Sequence, residues 1–201
     1  MTTARDLTII AMDTAPSRPV ERGRLSLALA GAELLDLLAA EAAALDDDRI
    51  VPGHTPATGD RLLDEAAAAL IREAPYESVD DWLWRRGRGL AVAYLAALEA
   101  DGQLTRQRPH WKPFAAGRTT LTDSPDRRLA EDRWAADEPV LTALAAAVGL
   151  REEGPEGIPV PEDDTTATVL AAVNDALLEL EAARQRRDVE QAAYDNVWRG
   201  Q

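Results

Sequence analysis

No cysteine occurs in the 201 residues. Disulfides, thiolate zinc sites, iron–sulfur clusters and a cysteine nucleophile are therefore excluded. Histidine occurs twice, at His54 and His110, too few for a three-histidine metal site. Serine occurs four times, at Ser17, Ser26, Ser78 and Ser124, and none neighbours a histidine. No GxSxG, HExxH or GxxxxGK[ST] is present, so the common signatures of acyl transfer, zinc proteolysis and phosphate-loop chemistry are missing. The fragment Gly87-Arg88-Gly89 begins a GxGxxG but lacks its third glycine, and a helical run rather than a strand precedes it. It reads as a helix break.

Aromatic residues make up 4% of the chain, whereas 39 positions are alanine. An alanine- and leucine-built core buries its surface through close helix packing, which points to an all-α fold. Lysine occurs once, at Lys112, against 21 arginines, which reads as the codon bias of a GC-rich genome. No long uncharged apolar run exists. The longest stretch, Leu25 to Leu45, carries Glu33, Asp36 and Glu41. An acidic residue at a membrane-helix centre costs about 2.5–3.5 kcal/mol, so this stretch is expected to be a buried helix. The opening MTTARDLTIIAMD has one arginine and too short an apolar run for a secretory signal. A cytoplasmic protein is expected, with the inner face of the membrane as the surface it would touch.

Along the chain, residues 1–24 read as an N-terminal segment, with an apolar run at 7–12 that suits strand or helix. Residues 25–150 read as a helical core domain. Within it the spacing predicts helices over 25–45, 61–73, 79–86, 90–100 and 126–150. Thr58 or Asp60 is the candidate N-cap of the second, and Ser78 in SVDD opens the third as a capping box. Gly31 lies inside the first helix, as glycine does at a close helix–helix contact. Asp46-Asp47-Asp48 would oppose the dipole at that helix's C-terminus, so the run reads as a solvated turn. Residues 103–122, with threonines flanking a Pro/Trp/Gly-rich centre, predict a short β-hairpin or wing. Residues 151–165 form an acidic, proline-rich connector, and 166–201 a C-terminal helix of the same domain.

Charge is unevenly distributed. The formal net charge is −14, yet the segment from Trp82 to Arg118 carries +5 and the remainder −19. Seven basic residues (Arg85, Arg86, Arg88, Arg106, Arg108, Lys112, Arg118) lie there among Trp82, Trp84, Trp111 and Phe114. Guanidinium forks with interleaved indoles suit an anionic surface. The competing reading makes the tryptophans core and pairs the arginines with the acidic bulk of the same protein. Paired carboxylates offer little chemistry beside this. Glu33 and Asp36 share a helix face as its outer edge, and Asp60, Asp64 and Glu65 suit a helix N-terminus. No catalytic, cofactor-binding or metal-ligating residue is assigned.

Three motifs, LALAGAELLDLL (27–38), TPATGDRLLDEAAAAL (55–70) and EADGQLT (99–105), resemble in order and spacing the Golgi phosphoprotein 3 family. The resemblance covers about 25–145. It implies a single, mostly helical, non-enzymatic domain, whose eukaryotic members bind phosphatidylinositol 4-phosphate and act as peripheral adaptors retaining glycosyltransferases. Against the family's lipid pocket, the tryptophan position falls on Glu21, the first arginine on Ala30, and the later arginine pair on Arg88 and Ala91. Only Arg88 survives, with Arg85 and Arg86 close by. Losing two cations and gaining a carboxylate is expected to abolish specific recognition of the phosphoinositide headgroup. The loop at 49–57 is too short for the self-association hairpin of eukaryotic members, which implies a monomer.

The expected function is that of a bacterial, non-enzymatic peripheral adaptor without cofactors. It would touch an anionic phospholipid surface or a protein partner through Arg88, Arg85 and Arg86. A winged-helix-like nucleic-acid-binding regulator is the alternative. The overall acidity opposes it, because phosphate binding needs a strongly basic face, and nucleic acid is not expected among the partners.

Overall fold

The structure, a computed structural model, describes residues 2–14, 20–54, 58–107, 118–151 and 163–199. Its organising element is α2 (Arg22–Ala39), whose leucine and alanine run is apolar on nearly every side. A helix of that kind must be covered all round. It is enclosed by α1 (Thr3–Thr14), α3 (Arg61–Ala68), α4 (Val79–Arg86), α5 (Leu90–Ala100), α7 (Pro139–Ala147) and α8 (Asp164–Arg199). The apolar run at 7–12 is thus helix, and Leu7, Ile9 and Ile10 of α1 lie in the same core as Leu29, Leu34 and Leu37 of α2. α6 (Pro125–Ala135) closes the far side of α1. The mostly helical domain expected from composition is what forms.

The helix expected over 25–45 stops six residues early. Glu41 adopts φ 55°, and Glu41 and Ala42 donate their N–H groups to Leu38 and Leu37, a Schellman closure that uses glutamate where glycine is usual. The chain then turns into β1 (Ala43–Asp46), antiparallel to β2 (Arg49–Pro52), with Asp46 opposite Arg49. Asp47 and Asp48 form the two-residue turn between them, which is the solvated turn the acidic run suggests. A second hairpin joins β3 (Leu104–Gln107) to β4 (Arg118–Leu121), where the threonine pattern placed one. Its connecting residues, including Trp111, Lys112 and Phe114, lie outside the described residues. So do the side chains of Arg106, Arg108 and Arg118. The helix expected over 126–150 is two helices: Asp137 at φ 52° ends α6, and Glu138 caps α7 by accepting from Val140 and Leu141 ahead of Pro139. The second helix is also shorter than expected, ending at Ala68.

Gly31 supplies the closest approach in the core. A Cβ there would stand 2.4 Å from Val173 Cγ2 of α8. Gly31→Ala gains up to about 1 kcal/mol of helix propensity but overpacks this contact, which typically costs about 1–3 kcal/mol. A net loss of about 1–2 kcal/mol is expected in urea denaturation. Val173→Ala in the same chain should recover part of it. An unchanged midpoint for Gly31→Ala would show that α2 and α8 are not in contact at this point.

Candidate functional site

The junction between α4 and α5 brings the arginine-rich segment against the first turn of α2. Gly89 makes that junction at φ 72°, a conformation that glycine adopts without strain. The freed N–H of Ala91 in the first turn of α5 donates to Ser26 Oγ at 3.0 Å, tying α5 to α2. Beside this bond lies a cleft of about 290 Å³ lined by Arg22, Leu27, Trp84, Arg88, Val92 and Leu180. Arg22 and Arg88 are exposed, and neither makes an ion pair with another described residue. Half-buried Trp84 and exposed Val92 give the cleft an apolar flank. Two free guanidinium groups over such a flank can bind a phosphate or carboxylate carried on an apolar body.

The structure does not bring the three expected arginines together. Arg85 turns away onto Glu77, donating to both carboxylate oxygens at 2.6 Å, and also reaches the Ala69 carbonyl at 3.1 Å. Its guanidinium sits 5.3 Å from the Trp82 ring centre. Arg86 points inward. Its Nε and Nη2 donate to Glu33 at 2.7 and 2.9 Å, and Nη2 also to the Leu62 carbonyl at 3.0 Å. Tyr94 donates to the same carboxylate at 3.1 Å. Burial pushes the Glu33 carboxyl above its ordinary range, and the bonds from Arg86 and Tyr94 only partly oppose that. Trp82 is fully buried and donates to the Ala30 carbonyl at 3.0 Å. For Arg85, Arg86 and Trp82 the geometry is that of internal pairing and core; only Arg88 faces solvent in a cleft.

The positions that the resemblance places in a lipid pocket fare differently. Ala30 and Ala91 are fully buried. Glu21 is the N-cap of α2, accepting from Gly23 N at 2.9 Å and Arg24 N at 3.2 Å. Arg22, which no motif singled out, occupies the cleft instead; its signal was only its place beside the start of the apolar run.

The carboxylates weighed for chemistry are absorbed structurally. Glu33 and Asp36, however, do not mark an outer edge of α2: Glu33 is fully buried and Asp36 half-buried, because other helices cover that face as well. Asp36 accepts from Ala4 N at 3.3 Å, and Asp60 caps α3 by accepting from Leu62 and Leu63. Asp64 binds Thr58 through backbone and hydroxyl. Ser78 and Ser124 are N-caps of α4 and α6. Among the described residues no three acidic or histidine side chains are placed to hold a metal ion. Two larger depressions exist, of about 1080 and 690 Å³. The first carries Asp36, Glu41, Glu138 and Asp163 against Arg133, the second Asp36, Asp60, Asp101 and Asp126 against Arg5. Both repel anions. Among the described residues, no helix is long and apolar enough to cross a membrane.

A family model described as Golgi phosphoprotein 3 (GPP34) matches residues 4–196. The match extends the resemblance at both ends, taking in α1 and most of α8. No curated protein matches the chain. The chain belongs to the Golgi phosphoprotein 3 family.

Proposed function

We propose that this member of the Golgi phosphoprotein 3 family is a non-enzymatic peripheral adaptor. Its cleft between α2 and α5 binds anionic phospholipid headgroups weakly and without selecting one phosphoinositide. The observation that carries this reading is the pair of exposed, unpaired arginines, Arg22 and Arg88, flanked by Trp84 and Val92. Two guanidinium forks suffice for a phosphodiester or monoester, and the apolar flank suits the interfacial zone of a bilayer. They fall short of the denser cation cluster that a polyanionic headgroup needs for specific capture. With an acidic bulk behind the cleft, binding is weak and yields to salt. Membrane contact of this kind is peripheral and reversible, at the cytoplasmic face.

Co-sedimentation with vesicles tests the proposal. The panel is phosphatidylcholine alone, phosphatidylcholine with phosphatidylserine, and phosphatidylcholine with phosphatidylinositol 4-phosphate, at low and physiological salt. Equal binding to both acidic sets, weakened by salt and lost in Arg22→Glu/Arg88→Glu, is expected. Absence of binding at low salt, or binding indifferent to these substitutions, would overturn the lipid reading and leave a protein partner as the object of the adaptor. No observation favours nucleic acid.

A further inference from the structure

The mouth of the same cleft already holds an anion belonging to the protein. Glu21 precedes Arg22, and its Oε2 forms an ion pair with the guanidinium of Arg184 on α8. Arg184 lies one turn beyond Leu180, which forms part of the cleft wall, and its Nη2 comes within 2.9 Å of where a side chain on Gly23 would begin. Gly23 lines the cleft as well. Three guanidinium groups, Arg22, Arg88 and Arg184, therefore stand near Gly23 at the cleft, while Arg24 in the same turn donates to the Ala147 carbonyl instead. The third is held by an internal carboxylate. Burial works to raise the Glu21 carboxyl, but the bonds from Gly23, Arg184 and Arg24 outweigh it and hold it below its ordinary range. It is fully ionised at neutral pH.

We propose that Glu21 is an autoinhibitory counter-ion for the cleft: its carboxylate holds Arg184 out of the anion site, and a phosphate-bearing ligand gains the third arginine only by displacing it. This rests on the reading of the cleft as the anion site. The Glu21 and Arg184 side chains are 46% and 30% exposed, so the pair is one that water and salt loosen. A phosphate monoester carries more charge than a carboxylate and offers three acceptor oxygens, so it competes effectively for the same fork. Arg184 swings from Glu21 toward the cleft, while Glu21 keeps its bonds to the amides of Gly23 and Arg24 or releases them to water.

Removing the charge while keeping the cap tests this. Asparagine is among the best N-cap residues, so Glu21→Asn leaves α2 capped and the fold intact. Asp47→Asn, in the turn between β1 and β2, changes the net charge equally at a distant place. Its φ of 53° suits asparagine. Vesicles of phosphatidylcholine with phosphatidylinositol 4-phosphate, whose headgroup carries a phosphate monoester, serve as the probe, and inorganic phosphate is titrated calorimetrically in parallel. Glu21→Asn is expected to tighten vesicle binding about ten-fold, the worth of one added charge-assisted contact. Asp47→Asn should do so by about two-fold or less. Adding Arg184→Gln to Glu21→Asn should remove the gain. A gain with vesicles but none with phosphate identifies the lipid surface as the source of the anion, and a gain with both identifies free phosphate as a ligand too. If Glu21→Asn binds no tighter than Asp47→Asn while Arg88→Glu still weakens binding, the counter-ion idea is overturned and the cleft stands. Were Arg88→Glu without effect as well, both readings would fail.

Discussion

Truncating Arg86 to alanine is expected to lower the unfolding free energy by about 3–5 kcal/mol, the range seen when one member of a buried ion pair is removed. Glu33 has no exposed side-chain surface and lies in the middle of α2. Its charge is tolerable there because Arg86 grips both oxygens and Tyr94 donates a third bond. Without the guanidinium, the carboxylate must either stay charged in an apolar core or take up a proton against bulk pH. Both routes cost stability. A companion variant separates this from simple loss of packing. Glu33→Gln/Arg86→Met removes both charges, leaves the amide a partner in Tyr94, and preserves much of the arginine's volume. It should recover most of the loss. Urea denaturation measures all three proteins. If Arg86→Ala costs less than about 1 kcal/mol, water reaches Glu33 and the ion pair contributes no more than an exposed one. The result also bears on how binding data are read, since a membrane-binding defect in an Arg86 variant would report on folding, whereas one in Arg88 would report on the cleft.

The second large effect is a gain of stability on mild acidification. Asp6 is fully buried, and one of its oxygens, Oδ1, has no hydrogen-bond partner. Burial raises its carboxyl to about 6, although Arg133 pulls the other way by charge and by a hydrogen bond. One neighbouring carboxyl extends the effect. From α2, Asp36 is also raised by burial despite bonds from Thr3 and Ala4. Arg133 also donates to Glu138, the N-cap of α7, at 3.1 Å. A folded-state value above the unfolded one means that the native protein binds the proton more tightly. The associated stability is complete below the unfolded value and disappears as pH rises through about 6. For Asp6 the full span corresponds to about 3 kcal/mol at most. Calorimetric Tm at fixed ionic strength should therefore rise from about pH 8 to about pH 5. Asp6→Asn should flatten that rise. An identical slope in the variant would assign the effect to the relief of general negative charge instead.

How much of this could be read from the chain depends on distance along it. Ser78 and Asp60 announce their helices locally, because a cap and the amides it satisfies lie within three residues; both serve as the sequence suggests. The threonine-flanked hairpin was legible because its two strands are close in sequence, whereas Gly31 signalled a close contact on α2 without naming Val173 of α8 as the partner. The end of α2 was not. Alanine and leucine continue the helical pattern to Leu45, and Glu41 carries no sign that it will adopt a positive φ. The signal that existed was the pair Asp47-Asp48 between two short apolar stretches, a hairpin turn disguised as the tail of a helix. At the candidate site, counting charge located the right segment but could not sort its members. Arg86 meets a carboxylate 53 residues away, and Arg85 one eight residues back, just before α4 begins. Arg22 and Arg184 join the cleft only through the packing of α2 against α8, which no local pattern reveals.

That packing also has a consequence for the order in which the protein can come into being. During synthesis the central helix, apolar on nearly every side, emerges well before α8, with α1 beside it. Yet α1 is completed by α6 and α7, and the face of α2 around Gly31 waits for Val173 of the last helix. No portion of the chain that precedes α8 can bury the whole of the α2 apolar surface. The nascent polypeptide must keep α2 from other chains until the closing helix has left the ribosome, a period in which chaperones have the most to act on.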